Sequence, residues 1–437
     1  MEAVNVTDSK RSMVWLLLAG LASEAVYLAA VVRLSWWRYA GDLTSWSEIL
    51  GRGEGPFVLC LVGAGGLMAL YLWGWWALRR ASPDAGLQRM VRGFALLFAV
   101  TLFWLLPITS DLFSYLTKAH LFTDLDANPL LSAPRDYPGD RLLWAYPTRY
   151  STEASVYGPA WTLLSAPATL GRYDLAGGLI YLKALVAFAY LGSVWLLERI
   201  LRQIRPAAAT EGVYLFAWNP LVLFMAVGDG HNDIVMMATV LLAVWLLLRN
   251  RWIPAFAALA LSVWIKYASV MFFPLFVIYA WWRLEEGHER DPRPVLAQAG
   301  LAVAGVTALV FAPFWRAEWI GQVAERLLWP DSWRGGATGL SAWLMAAGLL
   351  LFMAIYVLLL RGVVRARGSF RQLAHIGFEV SLLAFVLGVA RSQPWHLIWP
   401  AALAGFSSRR WAWPVVIGLS ALMLIAQVWV EWGTPGL

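Results

Sequence analysis

Long runs of apolar residues, separated by short polar segments, recur along the chain from Met13 to Val430. Several reach the roughly 20 residues that cross a bilayer as a helix. The pattern predicts spans over 13–32, 57–78, 91–109, 175–198, 211–227, 231–248, 252–265, 268–282, 295–315, 338–360, 372–390, 395–408 and 411–430, about thirteen in all. A shorter apolar run over 157–170 is broken by Pro159 and Pro167 and reads as re-entrant or interfacial. The expected fold is an all-α polytopic membrane helical bundle. No repeat of 20–50 residues, low-complexity linker or soluble portion stands out, so one integral-membrane domain, 1–437, is expected.

One polar stretch breaks the rhythm. Between Pro107 and Pro159 lie Asp111, Asp124, Asp126, Asp136, Asp140 and Glu153, and the loop 110–155 is expected to carry short helices.

Composition supports the membrane reading. The 437 residues are 60% hydrophobic and 14% charged, whereas soluble domains hold about 45–50% and 25%. The net charge of +7 fits the excess of Lys and Arg on cytoplasmic loops, so nucleic acid is not the expected partner; the lipid bilayer is. The 28 Trp suit interfacial belts. Cys60 is the single cysteine, which leaves no internal disulfide and no cysteine metal site. Lys10 and Arg11 ahead of the first apolar run look signal-like, but without a cleavage pattern the run is expected to be a retained span.

Parity of the spans then sets an orientation. A cytoplasmic N-terminus puts Arg79/Arg80, Arg199/Arg202/Arg205, Arg249/Arg251, Arg361/Arg365/Arg367 and Arg409/Arg410 inside. The loops 110–155, 228–230, 316–337 and 391–394 then face outward and are expected to enclose a shared polar space. The expected location is the plasma membrane, with this polar space on its extracytoplasmic face.

Candidate chemistry sits in those loops. Asp111 opens a helix-compatible segment, Asp111 to Phe122. There a carboxylate serves the helix dipole or marks a function where a span leaves the membrane. Asp124 and Asp126 have the spacing of a metal-binding pair, although with Asn128-Pro129 following they read first as a solvated turn. Gly228-Asp229-Gly230-His231-Asn232-Asp233 forms a hairpin tip, where capping plus substrate contact ranks above a small metal site of Asp229, His231 and Asp233. Lys266 interrupts an apolar run, either snorkelling or meeting a phosphate. Arg391 and His396, around Gln393, are placed to fork onto an anion and to donate or accept. Glu24, Lys183 and Glu379 lie inside apolar runs, where ionisable groups suggest function; His375 and Glu379 are one helical turn apart, the spacing of a simple side-chain pair.

Taken in order, Ser110-Asp111-Leu112-Phe113-Ser114-Tyr115, Asn128-Pro129, Val156-Tyr157-Gly158-Pro159-Ala160-Trp161, Asn219-Pro220-Leu221, Gly230-His231-Asn232-Asp233, Trp264-Ile265-Lys266 and Gln393-Pro394-Trp395-His396-Leu397-Ile398-Trp399 resemble a GT-C-type glycosyltransferase. The similarity is greatest to bacterial mannosyltransferases that use a polyprenol-phosphate sugar. Two positions depart from that pattern: Ala119-His120 stands where members often carry Gly-Arg, and His396 where many have Tyr.

The resemblance implies an inverting enzyme that moves a hexose, mannose first, from a polyprenyl-phosphate donor to a lipid-linked glycan or glycolipid acceptor. It maps the catalytic carboxylate onto Asp111. Lys266, Arg391 and His396 are expected to stabilise the departing phosphate, with His231, Asn232, Asp233, Tyr157 and Gln393 as further substrate contacts. No metal and no cofactor are expected. Two other readings stand beside it: a transporter or lipid-glycan flippase using Glu24, Lys183 and Glu379, and an O-antigen-ligase-like transferase with a lipid diphosphate donor.

Overall fold

A computed structural model describes residues 6–39, 45–81, 85–140, 152–170, 174–286, 291–316, 340–387 and 392–432. Among these residues the secondary structure is helical, with one isolated bridge between Ser35 and Leu105. Eight helices among the described residues are long and apolar enough to cross a membrane: Lys10–Arg33, Glu54–Arg80, Ala85–Leu102, Leu175–Ile204, Tyr267–Glu286, Pro292–Phe314, Ala346–Arg365 and Ala412–Trp432. A ninth is counted if the pair Pro206–Ala217 and Pro220–Gly228, bent by 55°, forms one span. The all-α membrane bundle is therefore observed. Several of the thirteen expected spans are short of bilayer length. Trp252–Ile265 coincides with the expected 252–265 at 14 residues and Asp233–Leu248 holds 16, while 395–408 resolves into the brief helices Pro394–Leu397 and Ile398–Ala404.

The bend has a local cause. Asn219 caps the new helix, its side-chain oxygen accepting from the Leu221 amide at 3.0 Å, while Pro220 supplies a first residue that needs no amide partner. A turn of π-helix, Phe224–Gly228, follows directly, a feature frequent near functional sites.

The chain forms two compact units, each discontinuous in sequence: Met1–Thr109 with Lys183–Ile234 and Gln393–Leu437, and Ser110–Leu182 with Val235–Ser392. The core of the first is tied by a reciprocal pair. Tyr71 donates to the Leu215 carbonyl and Tyr214 to the Tyr71 carbonyl, both at 2.7 Å, with the rings stacked. Gly74 makes this possible, because a Cβ there would lie 2.3 Å from the Tyr214 hydroxyl.

In the second unit the polar stretch carries short helices, as expected: Asp111–Thr123 and Pro134–Asp136. Every residue from Asp111 to Leu121 is buried. The Asp111 helix is thus an internal strut and not a solvated amphipathic surface helix. The run 157–170 is not a span either, since Pro159–Ser165 is a single helix of 7 residues with proline at its start.

Candidate functional site

In the second unit, Asp111 is the first residue of its helix and is 2% exposed. The helix dipole favours a negative charge at that end, which satisfies the structural reading without excluding a chemical one. Tyr157 donates its hydroxyl to Asp111 Oδ1 at 2.9 Å. Burial, and next the charge of Asp111, push the Tyr157 phenol above its ordinary pKa, so it stays a neutral donor at physiological pH. Tyr115 holds the ring edge-on at 5.3 Å, and Trp161 holds Tyr115 in the same manner at 4.9 Å.

Over the face of the Tyr157 ring stands Lys266 Nζ, 5.7 Å from the centroid, a favourable place for a cation. Lys266 terminates the helix Trp252–Ile265 in extended backbone, which explains why a lysine ends this apolar run. The segment before Pro159 docks on the same helix end. The Gly158 amide faces the Ile265 carbonyl at 3.4 Å, and a Cβ on Gly158 would lie 2.0 Å from the Trp264 carbonyl oxygen. Only glycine permits that approach. It brings Tyr157 against Asp111 and under Lys266.

One face of the Asp111 helix continues with Ser114 and Lys118, three and seven residues on. Lys118 is buried at 6% exposure and donates to the Glu153 carbonyl. A cavity of about 50 Å³ lies here, lined by Ser114, Lys118, Glu153, Ser155 and Tyr157 among others. Burial lowers the Lys118 pKa to about 7, against the opposing charges of Glu153 and Asp136. Its position at helical spacing from Asp111 was a signal available in the sequence that went unused.

His120 sits between two carboxylates, Asp124 at 3.0 Å and Asp140 at 3.1 Å. Asp126 pairs with Arg316 at 2.5 Å and adopts φ 49°. Asp124 and Asp126 therefore turn to different partners, as in a structured turn.

The remaining predicted residues lie in the first unit. Asp229 anchors the hairpin tip: its Oδ1 accepts from the amides of Ile108 (2.6 Å) and Thr109 (3.0 Å), and its Oδ2 meets His231 Nε2 at 3.0 Å. The His231 ring stacks on Trp395 at 4.0 Å and 17°. Asn232 and Asp233 are fully buried, and Asp233 accepts from Trp399 Nε1 at 2.5 Å. His396 leans on Trp399, its Nδ1 accepting from the Gln393 amide at 3.3 Å while Gln393 O accepts the His396 amide at 3.0 Å. Thus His231, Asp233, Gln393 and His396 share one tryptophan-lined cluster. Arg391 lies outside the described residues.

Asp229 holds main chain through Ile108 and Thr109 and pairs with His231. Lys183 is, with Glu24 and Glu379, a residue whose role the sequence leaves open. Fully buried, its ammonium lies within hydrogen-bond distance of four carbonyls, those of Leu102 (3.3 Å), Leu105 (2.9 Å), Val227 (3.0 Å) and Gly228 (2.6 Å), which share its three donors. Two helix ends leave these acceptors without intrahelical partners, and a cation answers them. Glu24 receives the Thr101 hydroxyl. The first unit also holds an apolar cavity of about 330 Å³, walled by Ala29, Cys60, Gly63, Phe224 and Val428 and reaching Asp229.

The sequence model described as "Alpha-(1->6)-mannopyranosyltransferase, N-terminal domain" matches residues 17–283. The chain belongs to this mannosyltransferase family. Two relatives agree. Alpha-(1->6)-mannopyranosyltransferase A of Mycobacterium tuberculosis is 26% identical over 437 aligned residues, covering 93% of this chain and 80% of that protein. Alpha-(1->6)-mannopyranosyltransferase B of Corynebacterium glutamicum is 23% identical over 176 residues, covering 36% of this chain and 29% of that protein. No solved structure matches the chain. This mannosyltransferase is a GT-C-type membrane glycosyltransferase that takes a sugar donor and a glycan or glycolipid acceptor. Family membership sets the transporter reading aside, and Lys183, engaged with four main-chain carbonyls, is a staple.

Proposed function

We propose that this mannosyltransferase moves mannose from a polyprenyl-phosphate donor to a hydroxyl of a lipid-linked glycan or glycolipid, with inversion at the anomeric carbon. The names of its relatives favour an alpha-(1->6) product. The observation that carries the reading is the Tyr157 ring, which has Asp111 at its hydroxyl and Lys266 over its face.

The chemistry follows from those charges. The acceptor oxygen attacks the anomeric carbon and its proton passes to the Asp111 carboxylate. The bond from that carbon to the phosphate oxygen breaks, and the electron pair leaves on the phosphate. Phosphate is a good leaving group, so the site needs positive charge and donors there more than a strong acid. Lys266 supplies the charge. Tyr157 holds Asp111 in an orientation that leaves the carboxylate an acceptor. His231, Asn232, Asp233, Gln393 and His396 are proposed substrate contacts, with Arg391 a further cation for the phosphate.

The apolar cavity beside Cys60 and Gly63 supports a substrate carried on a lipid. The distribution of Lys and Arg supports a cytoplasmic N-terminus and a reaction on the extracytoplasmic face of the plasma membrane. On this reading the whole chain acts as one membrane enzyme.

The test is transfer from labelled polyprenyl-phosphate mannose by the purified protein. Asp111→Asn should lower kcat between about 100- and 10,000-fold. Turnover near wild type would remove Asp111 as the base.

A further inference from the structure

Three contacts suspend the segment Glu153–Gly158 in the second unit. The Glu153 carbonyl accepts from Lys118 Nζ. The Ser155 amide donates to the Pro129 carbonyl at 2.6 Å. Gly158 closes on the end of the helix Trp252–Ile265. Tyr157 hangs between the second and third contacts, its amide 3.2 Å from Ser155 Oγ and its hydroxyl on Asp111. Of the three, the first joins this segment to the helix that bears Asp111.

That first contact is chemically unusual. A lysine 6% exposed has left water, which is unfavourable unless its donors are engaged. Lys118 engages a main-chain carbonyl two peptides upstream of Ser155. Ser114 and Lys118 occupy the same helical face as Asp111, so one rigid face presents both the carboxylate and the ammonium that anchors its hydrogen-bond donor's loop. The titratable groups with charge directed at Lys118 are Glu153 and Asp136; Tyr157 shares its cavity.

We propose that Lys118 is a positioning residue for mannosyl transfer: it fixes the Glu153–Tyr157 segment to the Asp111 helix and thereby sets the Tyr157 hydroxyl on the carboxylate. The proposal rests on Asp111 being the base. Lys118 itself touches no reacting atom. Its effect passes through Tyr157.

A double-mutant cycle tests this on the full-length protein. Lys118→Met and Tyr157→Phe should each lower kcat by about tenfold or more, with KM for the donor within about twofold, because a misaligned base slows the chemical step more than binding. Lys118→Arg should recover part of the rate. The double variant should fall no lower than Tyr157→Phe alone. Wild-type turnover in Lys118→Met, or losses that multiply in the double variant, would overturn the proposal.

Amide exchange supplies a readout independent of catalysis. Residues 153–157 should exchange faster in Lys118→Met and at the wild-type rate in Lys118→Arg; unchanged exchange in Lys118→Met overturns the pinning. If Lys118→Met does not accumulate, Lys118→Gln takes its place in both measurements. Should Asp111→Asn prove active, the base assignment falls, and the exchange result still decides whether Lys118 holds the loop.

Discussion

Adding a single methyl group at Gly158 is expected to disable the enzyme without touching an ionisable residue. A Cβ at that position meets only backbone: Trp264 O at 2.0 Å, Trp264 C at 2.6 Å and Trp264 Cα at 2.9 Å. No flexible side chain can swing aside. To reach ordinary contact at 3.4 Å, the segment must retreat by about 1.4 Å from the helix end. Tyr157 is the adjacent residue, and a shift of that size carries its hydroxyl from 2.9 Å out of hydrogen-bond range of Asp111. A misplacement of about 1 Å costs on the order of 100-fold in rate, and overpacking costs about 1–3 kcal/mol in stability.

The assay is transfer from labelled polyprenyl-phosphate mannose, with kcat and KM resolved and folding followed by thermal unfolding. Gly158→Ala should lose about 100-fold in kcat while unfolding only modestly earlier. Gly66→Ala, where a Cβ has nothing within 4 Å, should behave as wild type. A folded Gly158→Ala protein turning over at more than half the wild-type rate would refute the close-approach argument.

Two further outcomes concern stability. Lys183→Met removes the donor from four buried carbonyls, a loss of about 3 kcal/mol or more; it should sharply lower both yield and Tm, and a variant as stable as wild type would end its role as a staple. Lys118 has a folded pKa of about 7 against an ordinary 10.5, so between those values the unfolded chain binds more protons than the folded one. Its contribution is flat below about 7 and grows as pH rises toward 10.5. Unfolding followed from neutral to alkaline pH should show wild type gaining stability relative to Lys118→Met, and equal gains would show that the amine is not buried.

The linear order of residues was enough for the class and much of the candidate list. Apolar runs of bilayer length demand helices whatever their neighbours, and a chain 60% hydrophobic leaves little choice. Asp111 at the start of a helical pattern was readable because helix starts have local chemistry. The split of 395–408 into two brief helices was less so, since an apolar run reports burial and not the length of continuous helix.

Partners were beyond the reach of local pattern. Lys183 was visible as a charge in an apolar run, but its four carbonyls come from segments 44 to 81 residues away. The same holds for His231 stacked on Trp395 and for Tyr157 meeting Asp111 across 46 residues. Spacing along a helix tells which side chains share a face. Which distant donor satisfies a buried carboxylate is decided by how the helices assemble, because only the folded chain sets those distances.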